Sequence, residues 1–177
     1  LFPYTTLFRS AVNLNMANEV TTSTLSSLGV AVNDKTIGEV DVSYFFNKNV
    51  AAELILTLPQ KQVVGPNGSI GSFKHLPPTL TLQYHFTDLK GYKPYVGAGI
   101  NYTKITGQNL SSSASLDNHS YGAAFQAGVD VPLTKQVSLN FDVKKLYIQS
   151  DVYLSGVNQG TLKLDPLLVG VGVGYRF

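Results

Sequence analysis

The sequence predicts an all-β fold: an eight-stranded antiparallel transmembrane β-barrel with short periplasmic turns and long extracellular loops. Three observations predict it. Apolar and polar residues alternate with period two in repeated segments of about 8–11 residues, the pattern of strands with one apolar face. Short and long connections alternate along the chain, as they do in membrane barrels. Aromatic residues gather at strand ends beside the short connections, as Tyr44 and Phe46, Tyr84 and Phe86, and Tyr175 and Phe177. Amphipathic rings favour the membrane–water boundary, so these six form an aromatic girdle.

Taken in order, a weak leading segment from about Phe8 to Met16 sets Val12 and Leu14 against Asn13 and Asn15. From Thr36 to Phe46, Val40, Val42, Tyr44 and Phe46 share a face opposite Glu39, Asp41 and Ser43. Asn47-Lys48-Asn49 is a tight turn, and Val50 to Leu58 then aligns Val50, Ala52, Leu54, Leu56 and Leu58. Gly65-Pro66-Asn67-Gly68 and Pro77-Pro78 mark Pro59 to Pro78 as a long loop. Alternation resumes at Thr79, with Leu80, Leu82, Tyr84 and Phe86 on one face. Thr87 to Lys93 is a shorter connection into Pro94 to Thr103, where Val96, Ala98, Ile100 and Tyr102 oppose Gly97, Gly99 and Asn101. The Ser- and Asn-rich stretch Lys104 to Ser120 is a second long loop. A strand from Tyr121 to Val131, the turn Pro132 to Gln136 and a strand from Val137 to about Ile148 follow. Asp151 to Gly160 is the third long loop, and Leu167 to Phe177 closes the chain.

Composition agrees with this reading. The chain has 177 residues, enough for one domain, and only 14% of them are charged, against about 25% in ordinary globular proteins. Yet mean hydropathy is close to zero, and no run approaches the ~20 apolar residues of a membrane helix. A lipid-facing row averaged with a lumen-facing row gives this balance. A soluble up-and-down barrel would leave Gly97, Gly99, Gly128, Gly170, Gly172 and Gly174 as a bare exterior, whereas a narrow barrel needs small residues inside. The expected domain spans residues 1–177. Its first eight residues fit nothing downstream and read as a non-native or disordered leader. The start has no initiator Met, basic stretch or small-residue cleavage box.

Strand parity divides the lumen. With the short turns periplasmic, the inward positions near them are Ser43, Glu53, His85, Asp130, Ser138 and Arg176, and Glu39, Asp41, Asp142 and Lys144 sit nearer mid-barrel. Buried charges must be paired or wet. Lys144 and Arg176 therefore need carboxylates, for which Glu53, Asp130 and Asp142 are the candidates. Glu53, His85, Asp130, Asp142, Lys144 and Arg176 form a polar plug on this reading. Toward the long-loop end the same parity turns Ile37, Ile55, Leu146, Ile148 and Leu168 inward. An apolar upper lumen does not suit an ion channel. It suits a tube or pocket for an apolar ligand, or a solid core in which these side chains pack on one another.

Other chemistry is excluded or weak. With no cysteine, disulfides and zinc–thiolate sites are ruled out. A formal net charge of +2 does not mark a nucleic-acid binder. His75, His85 and His119 lack metal-ligand spacing, and His119 beside Ser120 in a loop has no catalytic geometry. Gly170-Val171-Gly172-Val173-Gly174 resembles a dinucleotide fingerprint, but no helix follows it. Neither an enzyme nor a cofactor or metal is expected. Asn67, Asn109 and Asn118 head sequons that matter only in a eukaryotic secretory route.

His75-Leu76-Pro77-Pro78-Thr79-Leu80, followed by Pro94-Tyr95-Val96-Gly97-Ala98-Gly99-Ile100-Asn101-Tyr102-Thr103, closely resembles the OmpW family of bacterial outer-membrane proteins. So does the ending from Leu164-Asp165-Pro166 to Gly174-Tyr175-Arg176-Phe177. The resemblance runs from about Ala11 to Phe177. It implies an eight-stranded barrel in outer-membrane lipid, proposed to pass small hydrophobic molecules. The aromatic-ended last strand looks like the signal that the barrel-assembly machinery reads through Phe177. The departure is at the start, where the first strand is incomplete by this comparison. Passive passage or binding of a small hydrophobic ligand is thus the expected function. The alternative is a filled structural or receptor barrel whose loops bind envelope partners, phage or toxins.

Overall fold

The computed structural model describes residues 2–15, 17, 19–21, 34–57, 60–64, 71–76, 78–110, 114–116, 119–154 and 156–177. Among these, eight strands form the barrel wall: β1 (Tyr4–Asn15), β2 (Lys35–Phe45), β3 (Val50–Thr57), β4 (Thr79–His85), β5 (Lys93–Leu110), β6 (His119–Pro132), β7 (Val137–Leu146) and β8 (Leu167–Arg176). Each pairs antiparallel with its sequence neighbours, and β1 pairs with β8 from Thr6↔Arg176 to Asn15↔Leu167, which closes the sheet. Closure matters because an open edge in hydrocarbon leaves backbone groups unsatisfied.

The alternation read from the sequence is the alternation of burial. Along β4, every second residue from Thr79 to His85 is buried and the intervening Leu80, Leu82 and Tyr84 are exposed. The outer surface carries Leu54, Leu56, Val96, Ile100, Phe125, Val143, Val169, Val171 and Val173, all exposed. So broad an apolar surface is untenable in water and suited to lipid. The girdle residues Tyr44, Phe46, Tyr84, Phe86, Tyr175 and Phe177 face outward at the short-turn end. They sit as edge-on pairs, with ring centroids 5.2 Å apart in Tyr44–Phe46 and Tyr84–Phe86 and 5.1 Å apart in Tyr175–Phe177.

Side chains fold the short turns. Asn47 Oδ1 accepts from the backbone N–H groups of Asn49 (2.8 Å) and Val50 (2.9 Å). Thr134 Oγ1 accepts likewise from Gln136 (3.2 Å) and Val137 (2.9 Å). Such bonds let Asn and Thr mimic a backbone turn. Gly91 takes a φ of +89° in the β4–β5 connection, a conformation that glycine adopts without steric cost.

Three expectations are corrected. The leader is not disordered from Tyr4 on: Tyr4 to Phe8 belong to β1 and pair with β2, and Thr6 to Phe8 pair with β8 as well. Ladder pairing is a backbone property, and here the parity also works, turning Thr6 and Phe8 inward. The misfit that remains is Arg9, exposed on the outer face opposite Val40 and Val173. An Arg at mid-bilayer depth costs about 2–4 kcal/mol. The long loops also carry strands. Gln60–Val64 and Gly71–Leu76 form a hairpin that pairs with the far end of β5, extended past Thr103 to Leu110. Gln149–Leu154 and Val157–Lys163 form another, joined by Glu19–Val20 and Ala114–Leu116 into a four-stranded sheet. These pairings stabilise segments whose Ser, Asn and Gly content reads as loop. Finally, the seventh strand stops at Leu146, short of Ile148. Met16, Leu58, Pro77 and the Gly65 to Gly68 turn lie outside the described residues.

Candidate functional site

The lumen is built in three levels. At the short-turn end, a row of rings crosses it. Phe45 stacks on Tyr4 (4.5 Å between centroids) and tilts against His85 (4.8 Å), which stacks on Tyr95 (4.8 Å). The Arg176 guanidinium lies 3.7 Å above the Tyr4 ring, a cation–π contact. His85 Nε2 donates to Gln83 Oε1 at 2.9 Å, and its Nδ1 is 3.8 Å from Asp130 Oδ2. Asn140 bridges Asp130 and Tyr95, donating to Asp130 Oδ1 (2.8 Å) and Tyr95 Oη (3.0 Å).

Above this row, two carboxylate centres fill the middle. Glu53 accepts from Ser43 Oγ (2.5 Å), Gln83 Nε2 (2.7 Å) and Gln126 Nε2 (3.0 Å). Gln83 and Gln126 belong to β4 and β6, so Glu53 on β3 ties distant parts of the wall together. Lys144 on β7 reaches Glu39 on β2 (2.5 Å) and also pairs with Asp142. All three are buried. On β8, which lies between β7 and β1, Gly170 stands opposite Asp142 and leaves that carboxylate room. A Cβ at Gly170 would stand 2.5 Å from Asp142 Oδ1. Asp41 is buried in the same layer. Four carboxylates therefore accompany one ammonium group, among the described residues, with hydrogen bonds carrying much of the compensation.

Two of the pairings expected from strand parity thus change. Lys144 takes Asp142 as expected, but its other partner is Glu39 rather than Glu53 or Asp130, because Glu39 faces it across the narrow lumen. Glu53 is held by neutral donors. Sequence parity places Gln83, Gln126 and Asn140 inside but does not show that they carry the network. Nor does it single out Tyr4, Phe45 and Tyr95, since aromatic residues at the short-turn end also read as girdle.

Toward the long-loop end the lumen becomes apolar. Ile37, Ile55, Leu146, Ile148 and Leu168 are buried, as are Val12 and Leu14. The ladder registers Val12↔Ile37 and Leu14↔Leu168 put these four on adjoining strands, while Ile55 stands opposite Asp41 and Leu168 opposite Lys144. Leu162 and Leu164, from the hairpin beyond β7, are also buried. Ile55 is 2% exposed and Leu168 is 1% exposed. Surfaces so fully covered border no void large enough for water, so this level is packed in the structure. Polar rims flank it: Asn101 Nδ2 donates to the carbonyls of Ala123 and Tyr147, both at 3.2 Å.

A lipid-facing wall, an aromatic girdle and a lumen that holds buried charged and apolar side chains define a small membrane barrel, and known proteins of this kind match it. The model of the OmpW family matches residues 4–177. Outer membrane protein W of Escherichia coli is 34% identical over 169 residues, spanning 87% of this chain and 79% of that protein. The dibenzothiophene metabolism operon protein PahQ of Pseudomonas aeruginosa is 30% identical over 146 residues, or 77% of this chain and 69% of that protein. The fold resembles the crystal structure of the outer membrane protein OprG from Pseudomonas aeruginosa, with a TM-score of 0.77, 24% identity and coverage of 98% and 96% of the two chains. With a family model matched along nearly its whole length, and with the barrel that the match requires, the chain belongs to the OmpW family of outer-membrane proteins of Gram-negative bacteria.

Proposed function

We propose that the barrel binds small hydrophobic molecules in its upper lumen and gives them passive passage into the membrane. The observation that carries this reading is the segregation of the lumen. Ile37, Ile55, Leu146, Ile148 and Leu168 are buried toward the long-loop side, and Ile55 and Leu146 lie beyond Glu53 and Lys144 on their own strands. An apolar solute gains about 25 cal/mol for each Å² it removes from water in such surroundings. It gains nothing by moving into the charged layer below, so the favourable exit is sideways or through the loops. The name of the relative PahQ, which ties it to dibenzothiophene metabolism, is consistent with a role beside apolar aromatic compounds. Because these side chains are packed in the structure, a solute reaches them only when they or the loops above move.

That close packing favours a second reading, a filled barrel that serves as a structural element or as a receptor for envelope partners, phage or toxins. The two separate in a transport assay. Proteoliposomes carrying the wild-type barrel should take up a fluorescent hydrophobic probe faster than empty vesicles. Leu168→Glu or Ile55→Lys should return the rate most of the way to that of empty vesicles, compared per folded barrel as counted on gels. Equal uptake by wild type and variants would remove the passage reading and leave the filled barrel.

A further inference from the structure

The opposite mouth of the barrel holds a feature that the passage of apolar molecules does not use. At the short-turn end a cavity of about 530 Å³ opens to the periplasmic side. Its rim is cationic, and the cations converge from separate elements: Lys48 from the β2–β3 turn, Lys93 from the start of β5, Lys135 from the β6–β7 turn and Arg176 from β8. Among the described residues, Asp130 is the one carboxylate lining it. Asp130 Oδ1 accepts from Asn140 at 2.8 Å, and its Oδ2 lies 3.8 Å from His85 Nδ1. The rings of Phe45 and His85, tilted against each other, line it together with Tyr4 and Phe8.

We infer that this vestibule is a binding site for a polyvalent phosphate-bearing anion. A concave mouth with low-dielectric walls focuses the field of like charges and raises the local concentration of counter-ions. Each lysine ammonium is a compact charge with three donors on a flexible stem, suited to oxyanions of varied geometry. Three lysines on three different elements match an anion with several charged oxygens better than a single carboxylate. The neighbouring inner leaflet and the periplasm both offer such groups, as lipid headgroups or as soluble phosphates.

The test uses the ¹⁵N-labelled full chain in phosphatidylcholine nanodiscs at low ionic strength, titrated with inorganic pyrophosphate. Amide signals at Lys48, Lys93 and Lys135 should shift saturably with one dissociation constant. Signals at Lys104 and Lys163, at the far end, should stay still. Replacing both exposed turn residues, Lys48→Gln with Lys135→Gln, should weaken binding about tenfold or more while the rest of the spectrum is retained. Adding phosphatidylglycerol identifies the source. Weakened pyrophosphate binding means that the headgroup phosphate occupies the vestibule, and unchanged binding means that a soluble anion does; both support the site. Unsaturable shifts of equal size at Lys104 and Lys163, or an affinity indifferent to the double variant, would overturn it.

Discussion

Lys144→Met should lower the stability of the folded barrel by about 3–5 kcal/mol, the usual consequence of removing one partner from a buried ion pair. The lysine is buried between Glu39 and Asp142, and no other ammonium group shares that layer among the described residues. Without it, the buried carboxyl groups of Glu39, Asp142 and Asp41 are left with only a methionine stem in place of the cation. The loss should show as a fall in the urea midpoint for unfolding from lipid vesicles. Adding Glu39→Gln and Asp142→Asn to Lys144→Met should recover part of it, since the two carboxylates that the lysine pairs with are then neutral and Asp41 alone is left without the cation. A Lys144→Met barrel within about 1 kcal/mol of wild type would mean that the plug is solvated and that its ion pairs hold little together.

Gly122→Val should prevent the barrel from closing. A Cβ at Gly122 would run into the backbone carbonyl oxygen of Tyr147, and Asn101 Nδ2 donates to the same oxygen. Backbone cannot turn away as a side chain can, so β6 and the end of β7 must part, at a cost of about 3 kcal/mol or more. Gly97 provides the contrast. Its nearest neighbours are the flexible side chains of Gln126 (2.9 Å) and Gln83 (3.2 Å), so Gly97→Ala should displace the glutamines yet still fold. Heat-modifiable gel mobility in lipid gives the folded fraction of each. Equal folded fractions for the two variants would show that the wall is more compliant at Gly122 than its contacts imply.

The wall of the barrel was legible in the sequence because its cause is local. Each strand alternates by itself, so the parity that exposes Leu80, Leu82 and Tyr84 and buries Thr81, Gln83 and His85 is written in seven consecutive residues. The same parity also turned Ile37, Ile55, Leu146, Ile148 and Leu168 inward, and all five are buried. Side-chain partners did not. Glu39 and Lys144 are 105 positions apart and meet because two intervening strands keep the lumen narrow, and no local pattern encodes that. The strands within the long loops were hidden for a related reason: Gln60–Val64 has its pairing partner in Gly71–Leu76, which in turn needs the extended end of β5. The inward Phe45 was masked by Tyr44 and Phe46, which flank it and dominate the girdle pattern.

If the apolar compartment above the polar plug admits hydrophobic solutes, a solute inside it must touch methyl groups that lipid cannot reach. Methyl NMR of the barrel in nanodiscs, titrated with naphthalene, reads this out, because lumen-facing and lipid-facing methyl groups lie on opposite faces of one wall. Saturable shifts are expected at Ile37, Ile55, Leu146, Ile148 and Leu168, with the amides of Glu53 and Asp130 unmoved. Shifts confined to the outward-facing Leu80 and Ile100, growing in proportion to added naphthalene, would show that the solute stays in the bilayer and would contradict binding in the lumen.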